Sequence, residues 1–279
     1  MRMTRVAVAG GTGLMGRLVV ERLDAAGHKA VVLARSRGVD LLTGTGVDAA
    51  LAGCSAVVDV TNVGTASGRR SREFFGTVTD RLLTAGVRAG VGHVVALSIV
   101  GVDRVGLGYY RGKLHQEELL AAGPLPWTVL RATQFHAFAA QLADRGRGRS
   151  PVVLVPRALS RPVDAAEVAD RLAALAVGPA HGTATPMAGP EVIPLPEMVR
   201  RLLRARGSRR RVVPVPVPGA AGRAAARGGL LPDGDVVLGV HPFDAYLRSE
   251  QERTVHECSG QRQRSGQQRG GQQRGRQPR

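Results

Sequence analysis

Lysine is nearly missing from this chain: of its 39 basic residues only Lys29 and Lys113 are lysines, and all the others are arginine. Aromatic side chains supply 3% of the 279 residues, too few for a stacking platform that grips single-stranded nucleic acid. Two cysteines, Cys54 and Cys258, cannot build a disulfide framework and point to a reducing compartment. No apolar run reaches 18 residues, so no helical membrane span is expected. The opening Met1–Arg5 leads into Val6-Ala7-Val8-Ala9-Gly10-Gly11, too short an apolar stretch for a secretory leader. A soluble, cytoplasmic protein is the expectation. The histidines at 28, 93, 115, 181 and 241 show no metal-ligand spacing and no Cys-x-x-Cys exists, so no metal is expected. The lack of Gly-Lys-Ser/Thr excludes a triphosphate loop of the Walker type. The lack of Gly-x-Ser-x-Gly around Ser98 excludes a serine-hydrolase elbow.

What is present reads as a globular α/β protein. With 43% hydrophobic and 22% charged residues the chain can bury a proper core, and at roughly 150 residues per domain its length suits a large unit with a smaller companion. The net charge of +17 is unevenly placed: residues 251–279 hold seven arginines against two glutamates. That stretch is Gln, Arg, Gly and Ser with almost nothing apolar, and a disordered basic tail is expected there. Arginine bias alongside abundant Ala, Gly, Val and Pro reads as codon pressure, so no specific nucleic-acid partner is expected.

Short Val-rich runs at 5–9, 30–34, 56–60, 93–98 and 128–131 alternate with helical patterns at 14–26, 72–89, 109–122 and 135–144. Near-continuous apolar strands separated by helices predict a doubly wound parallel sheet, a Rossmann arrangement, over residues 1–150. A weak strand at 39–42 and a short helix at 48–51 fill one crossover. Residues 151–250 read as a smaller, irregular substrate lobe. It has a strand at 151–155, helices at 164–177 (N-capped by Asp164), 195–206 and 242–248, and a Pro-alternating extended run at 211–218. Alternating prolines confine that run to an edge strand or a polyproline segment.

The chemistry begins at Gly10-Gly11-Thr12-Gly13-Leu14-Met15-Gly16, which follows the first strand and opens the first helix. Glycine at 10 allows the sharp turn, at 13 a close backbone approach to a pyrophosphate, and at 16 tight packing of helix on sheet. The N–H groups of the helix start, including those of Thr12, Leu14 and Met15, then face the phosphates. A dinucleotide is the predicted ligand. An NAD site wants a carboxylate about 20 residues on, to hold the ribose 2′-hydroxyl. That window reads Val31-Val32-Leu33-Ala34-Arg35-Ser36-Arg37, without an acid, and Arg35 is placed to pair with a 2′-phosphate. NADP is therefore favoured over NAD.

Tyr109 and Lys113 stand four apart, on one helix face. A phenol needs a lowered pKa to exchange protons near neutrality, and a neighbouring ammonium lowers it. In a chain that otherwise uses arginine, a lysine at this place indicates that a compact ammonium is required. Tyr110 is the rival acid, but its i+4 neighbour is Leu114. Ser98 ends the preceding strand, where its hydroxyl can orient a substrate carbonyl. Gln134 and His136 follow the last strand of the sheet. They are substrate-facing candidates, with His136 an auxiliary acid or base, or else a packing residue.

These features together resemble the short-chain dehydrogenase/reductase superfamily, in particular its atypical NmrA-like branch, over roughly residues 4–250. The resemblance rests on the glycine turn, the stretch from His93 to Asp103, the Tyr109–Lys113 pair and Leu130-Arg131-Ala132-Thr133-Gln134-Phe135-His136. It implies Ser98, Tyr109 and Lys113 as catalytic residues, with Lys113 also holding the nicotinamide ribose. It further implies an Asn62-bearing loop lining the cofactor pocket, and places Ala132-Thr133 where many members carry Arg-Pro-Gly. The family's asparagine before the fifth strand has no counterpart in the helix that begins Arg72-Glu73-Phe74-Phe75-Gly76. Two functions are compatible with the resemblance. One is a reductase or dehydrogenase acting on a carbonyl or enone of a small organic molecule, a class that includes epimerases and dehydratases using the cofactor transiently. The other is a non-catalytic NADP(H) sensor.

Overall fold

A computed structural model describes residues 3–145 and 150–252; the expected disordered tail lies almost wholly outside them. Five Val-rich strands appear where the apolar runs place them: β1 (Arg5–Ala9), β2 (Lys29–Leu33), β3 (Ala56–Asp59), β4 (His93–Ile99) and β5 (Trp127–Ala132). With β8 (Gly182–Ala188) and β11 (Val237–Leu238) they form one parallel sheet in the order β11-β8-β5-β4-β3-β1-β2. The chain steps from β1 out to β2, then returns to lay β3 on the other side of β1. That reversal opens a crevice beyond the carboxyl ends of β1 and β3, where open α/β sheets take their ligands.

Strand alternation sorts the core into two layers. Val6, Val8 and Val58 point to one face, against Met15, Val19 and Leu23 of α1 (Leu14–Ala25) and Val168 and Leu172 of α6 (Ala165–Val177). Ala7, Ala9, Val57, Val94 and Ala96 point to the other. There they meet Val78 and Leu82 of α3 (Gly68–Ala89), Leu120 of α4 (Gly108–Ala122), and Val47 and Leu51 of α2 (Val47–Leu51). Each fully buried leucine of these helices contributes about 1.5–3 kcal/mol. Helix ends follow local chemistry. Ser67 caps α3 by accepting from the Arg70 N–H, Gly90 closes it in the left-handed conformation, and Asp164 caps α6 as expected, accepting from Ala166 N–H at 2.7 Å.

Three sequence expectations are corrected. Residues 39–42 are a turn, because Gly38, Gly44 and Gly46 all have positive φ and the Asp40 carboxylate accepts the Leu42 N–H at 2.8 Å. β2 is therefore an edge of the sheet. Secondly, the sheet contains β8, which its sequence Gly-Thr-Ala-Thr-Pro-Met-Ala does not announce. Pro186 is tolerated in a central strand because the register with β5 slips around it, from Leu130↔Ala184 to Ala132↔Met187. Thirdly, residue 150 does not divide sheet from lobe, since α6, β8 and β11 all return to the sheet.

What stands beside the sheet is a third core, joining Leu142 of α5 (Phe138–Asp144), Val153 and Val155 of β6 (Val152–Pro156) and Met198, Val199 and Leu202 of α7 (Leu195–Ala205). Ala225 of α8 (Gly219–Ala226) and Phe243 and Leu247 of a helical stretch at 243–252 complete it. β10 (Arg211–Val215) pairs with β6 alone, the edge position its prolines require. β7 (Leu159–Ser160) and β9 (Ile193–Pro194) pair antiparallel beside it. Among the described residues no helix is long and apolar enough to cross a membrane.

Candidate active site

The turn after β1 is built by the lack of side chains. Gly10 has φ +79° and donates its N–H to Leu33 O, binding the turn to the end of β2. A Cβ on Gly16 would lie 2.2 Å from Gly10 O and 2.5 Å from Gly11 Cα, so α1 starts in direct contact with the turn. Thr12, Gly13 and Leu14 are exposed at the tip, whereas the Met15 side chain is buried in the core, leaving only its backbone for a ligand. No side chain caps α1 and no acid sits in its first turn. An uncapped 12-residue helix, opening on a cradle that any Cβ would fill, fits a dinucleotide pyrophosphate.

Arg35 lies in a short 3-10 turn, Arg35–Arg37, directly past β2, and is exposed. Asp40 is the first acid after β2, and its carboxylate is engaged by the backbone N–H groups of Leu42 and Thr43.

The opposite wall is the start of α4. Glycine lets α4 lie close to α3: a Cβ on Gly108 would stand 2.1 Å from Ala66 O, and one on Gly112 2.1 Å from Ser71 Oγ. Ser71 Oγ donates to Tyr109 O at 2.8 Å, pinning the first turn. The Tyr109 hydroxyl donates to Asn62 Oδ1 at 2.7 Å, so the loop after β3 and α4 meet at the phenol. One turn on, Lys113 is buried. Its Nζ donates to Gln116 Oε1 and stands 4.5 Å from the centroid of Phe75, whose ring also meets Tyr109 edge-on at 5.7 Å.

The electrostatics differ from the sequence expectation. Lys113 does not pull the Tyr109 phenol down. Burial, then Tyr110 and Asp59, push its pKa well above the usual phenol range. Burial lowers Lys113 to about 8, against the opposing pull of Asp59 and Glu117. The cause of the difference is that the ammonium is directed to Gln116 and Phe75 rather than to the phenol oxygen.

Ser98, in register with Arg131 on β5, is buried and its Oγ has no hydrogen-bond partner among the described residues. An unsatisfied buried hydroxyl at the carboxyl end of a central strand is suited to a ligand atom. Gln134 is engaged on both sides, accepting from Ser160 Oγ at 2.9 Å and donating weakly to the Tyr110 hydroxyl at 3.5 Å. His136 is buried at 2% exposure. Its Nε2 lies 3.2 Å from Pro162 O and its ring packs against Phe243 and Tyr246. Burial lowers its pKa, and its place is that of a packing residue joining the end of β5 to the 243–252 helix.

Two residues of the site escape sequence reasoning, Asp59 and Gln116. Gln116 Nε2 donates to Asp59 Oδ2 at 2.7 Å, and Asp59 Oδ1 accepts the Thr61 N–H at 2.9 Å. The available signals were a lone acid closing the otherwise apolar run Ala-Val-Val-Asp, and a glutamine three residues past Lys113.

Residues 10–176 match the NAD(P)H-binding family. No curated protein matches the chain in sequence. Several solved structures share its fold. An NAD-dependent NDP-hexosamine 5,6-dehydratase of tunicamycin biosynthesis is 16% identical with a TM-score of 0.67, over 89% of this chain and 97% of that one. MoeE5, in complex with UDP-glucuronic acid and NAD, is 18% identical with a TM-score of 0.67, over 91% and 99%. The triphenylmethane reductase of Citrobacter sp., complexed with NADP(H), is 17% identical with a TM-score of 0.66, over 88% and 99%.

Proposed function

The chain belongs to the NAD(P)H-binding family, and on that premise we propose that it is an oxidoreductase of the short-chain type, moving hydride between NADP(H) and a carbonyl or enone of a small organic molecule. The observation that carries this reading is the Tyr109 hydroxyl, held 2.7 Å from Asn62 Oδ1 at the mouth of the crevice with Lys113 buried one turn below. A module that only senses the nucleotide has no need of a phenol so placed.

Each residue has a part in this reading. The backbone of Gly10, Gly13, Leu14, Met15 and Gly16 seats the pyrophosphate, with Thr12 at the tip of the turn, and Arg35 pairs with the 2′-phosphate that distinguishes NADP from NAD. Asn62 lines the cofactor pocket and Lys113 donates to the ribose hydroxyls. The bound nicotinamide supplies or accepts the hydride. Ser98, whose hydroxyl is otherwise unpaired, orients the substrate carbonyl. Tyr109 delivers its proton to the carbonyl oxygen as the carbon gains hydride, so that an alcohol leaves and the phenolate is reprotonated from water. With its pKa raised by burial, Tyr109 holds its proton at neutral pH, the form that this direction starts from. Gln134, engaged by Ser160 and Tyr110, and His136, packed on Phe243 and Tyr246, take no reacting part in this reading.

A dehydratase or epimerase cycle uses the same groups. The likeness to the hexosamine dehydratase and to MoeE5 with its UDP-sugar favours it as the second reading. The test is NADPH absorbance across a panel of aldehydes, ketones and enones, alongside NADPH and NADH fluorescence titrations. Consumption of NADPH with at least one member supports the oxidoreductase. Binding without consumption anywhere in the panel removes the reductase and leaves the transient-cofactor cycle or a sensor.

A further inference from the structure

Asp59 and Gln116 touch neither substrate nor nucleotide in the reading above, yet they are among the most buried polar side chains, at 2% and 1% exposure. A carboxylate only accepts hydrogen bonds, so Gln116 has no freedom in which end of its amide faces Asp59. Nε2 donates to Asp59 Oδ2, and Oε1 is thereby turned toward Lys113 Nζ. The second carboxylate oxygen accepts the N–H of Thr61, whose chain neighbour Asn62 holds the Tyr109 hydroxyl. A single buried charge at the end of β3 thus reaches both members of the Tyr109–Lys113 pair, one through the following loop and one through α4.

We propose that Asp59, acting through Gln116, is a positioning residue that holds Lys113 as a charged donor and braces the Asn62 loop against Tyr109. The proposal rests on the roles given above to Lys113 and Tyr109. The surroundings of Lys113 single out Asp59 as the source of that charge. From α3 comes the Phe75 ring, and along α4 lie Tyr109 one turn earlier and Glu117. Glu117 is itself held by Arg131 through two hydrogen bonds, at 2.7 and 3.1 Å. Burial lowers Lys113 while Asp59 is the leading opposing influence.

The arrangement makes a specific demand of substitutions. Asp59→Asn keeps the shape and the acceptor for Thr61 but supplies an amide donor toward Gln116. The Gln116 amide then turns over and presents Nε2 to Lys113, and two donors face to face favour the neutral amine. Gln116→Met keeps the volume and removes the link altogether.

The scarcity of lysine makes the effect directly readable. In the full chain labelled with 13Cε-lysine, the lysine NMR spectrum has two side-chain signals, exposed Lys29 and buried Lys113. Lys113 is expected to titrate near 8. Asp59→Asn lowers the Lys113 midpoint by about one unit or more, and Gln116→Met moves it in the same direction. A Lys113 midpoint unchanged in both variants overturns the proposal. NADPH fluorescence on the same samples separates the two levels. A Lys113 that shifts as expected in a protein that binds no NADPH upholds the link from Asp59 and refutes the functional reading instead.

Discussion

The glycine turn after β1 and the first turn of α4 face the same crevice, but they are made of different materials. The turn is backbone: its geometry follows from three missing side chains, and the contacts that set it are with backbone, within the turn and at the ends of β2 and β3. The α4 wall is side chain upon side chain, with Ser71, Asn62, Asp59 and Phe75 arriving from 34 to 57 residues away. A phosphate seat can therefore be specified by a local motif, whereas a proton-handling pair takes its properties from partners that only the fold supplies. The pKa directions of Tyr109 and Lys113 are the clearest instance, since the four-residue spacing alone suggests the opposite shift for the phenol.

Substitutions that strike one wall and spare the other sharpen this contrast. The largest effect is expected for Gly16→Val. Overpacking a core costs about 1–3 kcal/mol where side chains can yield, but here the new atoms meet the backbone of Gly10 and Gly11, so the loss should reach or exceed that upper bound. Denaturant unfolding should show it, together with loss of measurable NADPH binding.

On the other wall, Lys113 gives stability a pH dependence whose sign is fixed. Its folded pKa of about 8 lies below the ordinary lysine value of about 10.4. Between those pH values the unfolded chain holds a proton that the folded chain has released, so stability rises with pH across that window and this contribution is lowest below pH 8. The wild type should gain about 3 kcal/mol from this group across the window, and Lys113→Met should lose that slope in urea unfolding. The smallest effect belongs to Arg35→Ala. NADPH affinity should fall about tenfold, equivalent to about 1.4 kcal/mol, with NADH affinity nearly unchanged. Equal losses for both nucleotides would remove Arg35 from cofactor selection.

How much of this was legible in the sequence follows the same division. The five Val-rich strands, the glycine turn, the Asp164 cap and the edge strand at 211–215 were visible because local pattern and local chemistry determine them. β8 was not, since a proline-bearing run of small residues becomes a strand only by pairing with β5 around a slipped register. The turn at 39–42 was misread because a few apolar residues outweighed three glycines whose positive φ bends the chain. At the site, Tyr109, Lys113 and Asn62 were named from the sequence and are brought together on one wall, Tyr109 and Asn62 by direct contact. Asp59 and Gln116 were invisible because their significance is a single hydrogen bond between residues 57 apart. His136 looked chemical by residue type, but aromatic packing from a helix more than 100 residues later encloses it.

The central claim is that the Tyr109 hydroxyl is the proton donor of a nicotinamide-dependent reaction. Its most direct test is Tyr109→Phe, with NADPH affinity and NADPH turnover measured on the same preparation. The removed oxygen donates a hydrogen bond to Asn62, and its loss leaves the ring contacts with Phe75 and Tyr110 intact. NADPH affinity should stay within a few-fold of wild type, while turnover falls by about 10²–10⁴, the usual worth of a positioned acid. Turnover at the wild-type rate in Tyr109→Phe would contradict the account.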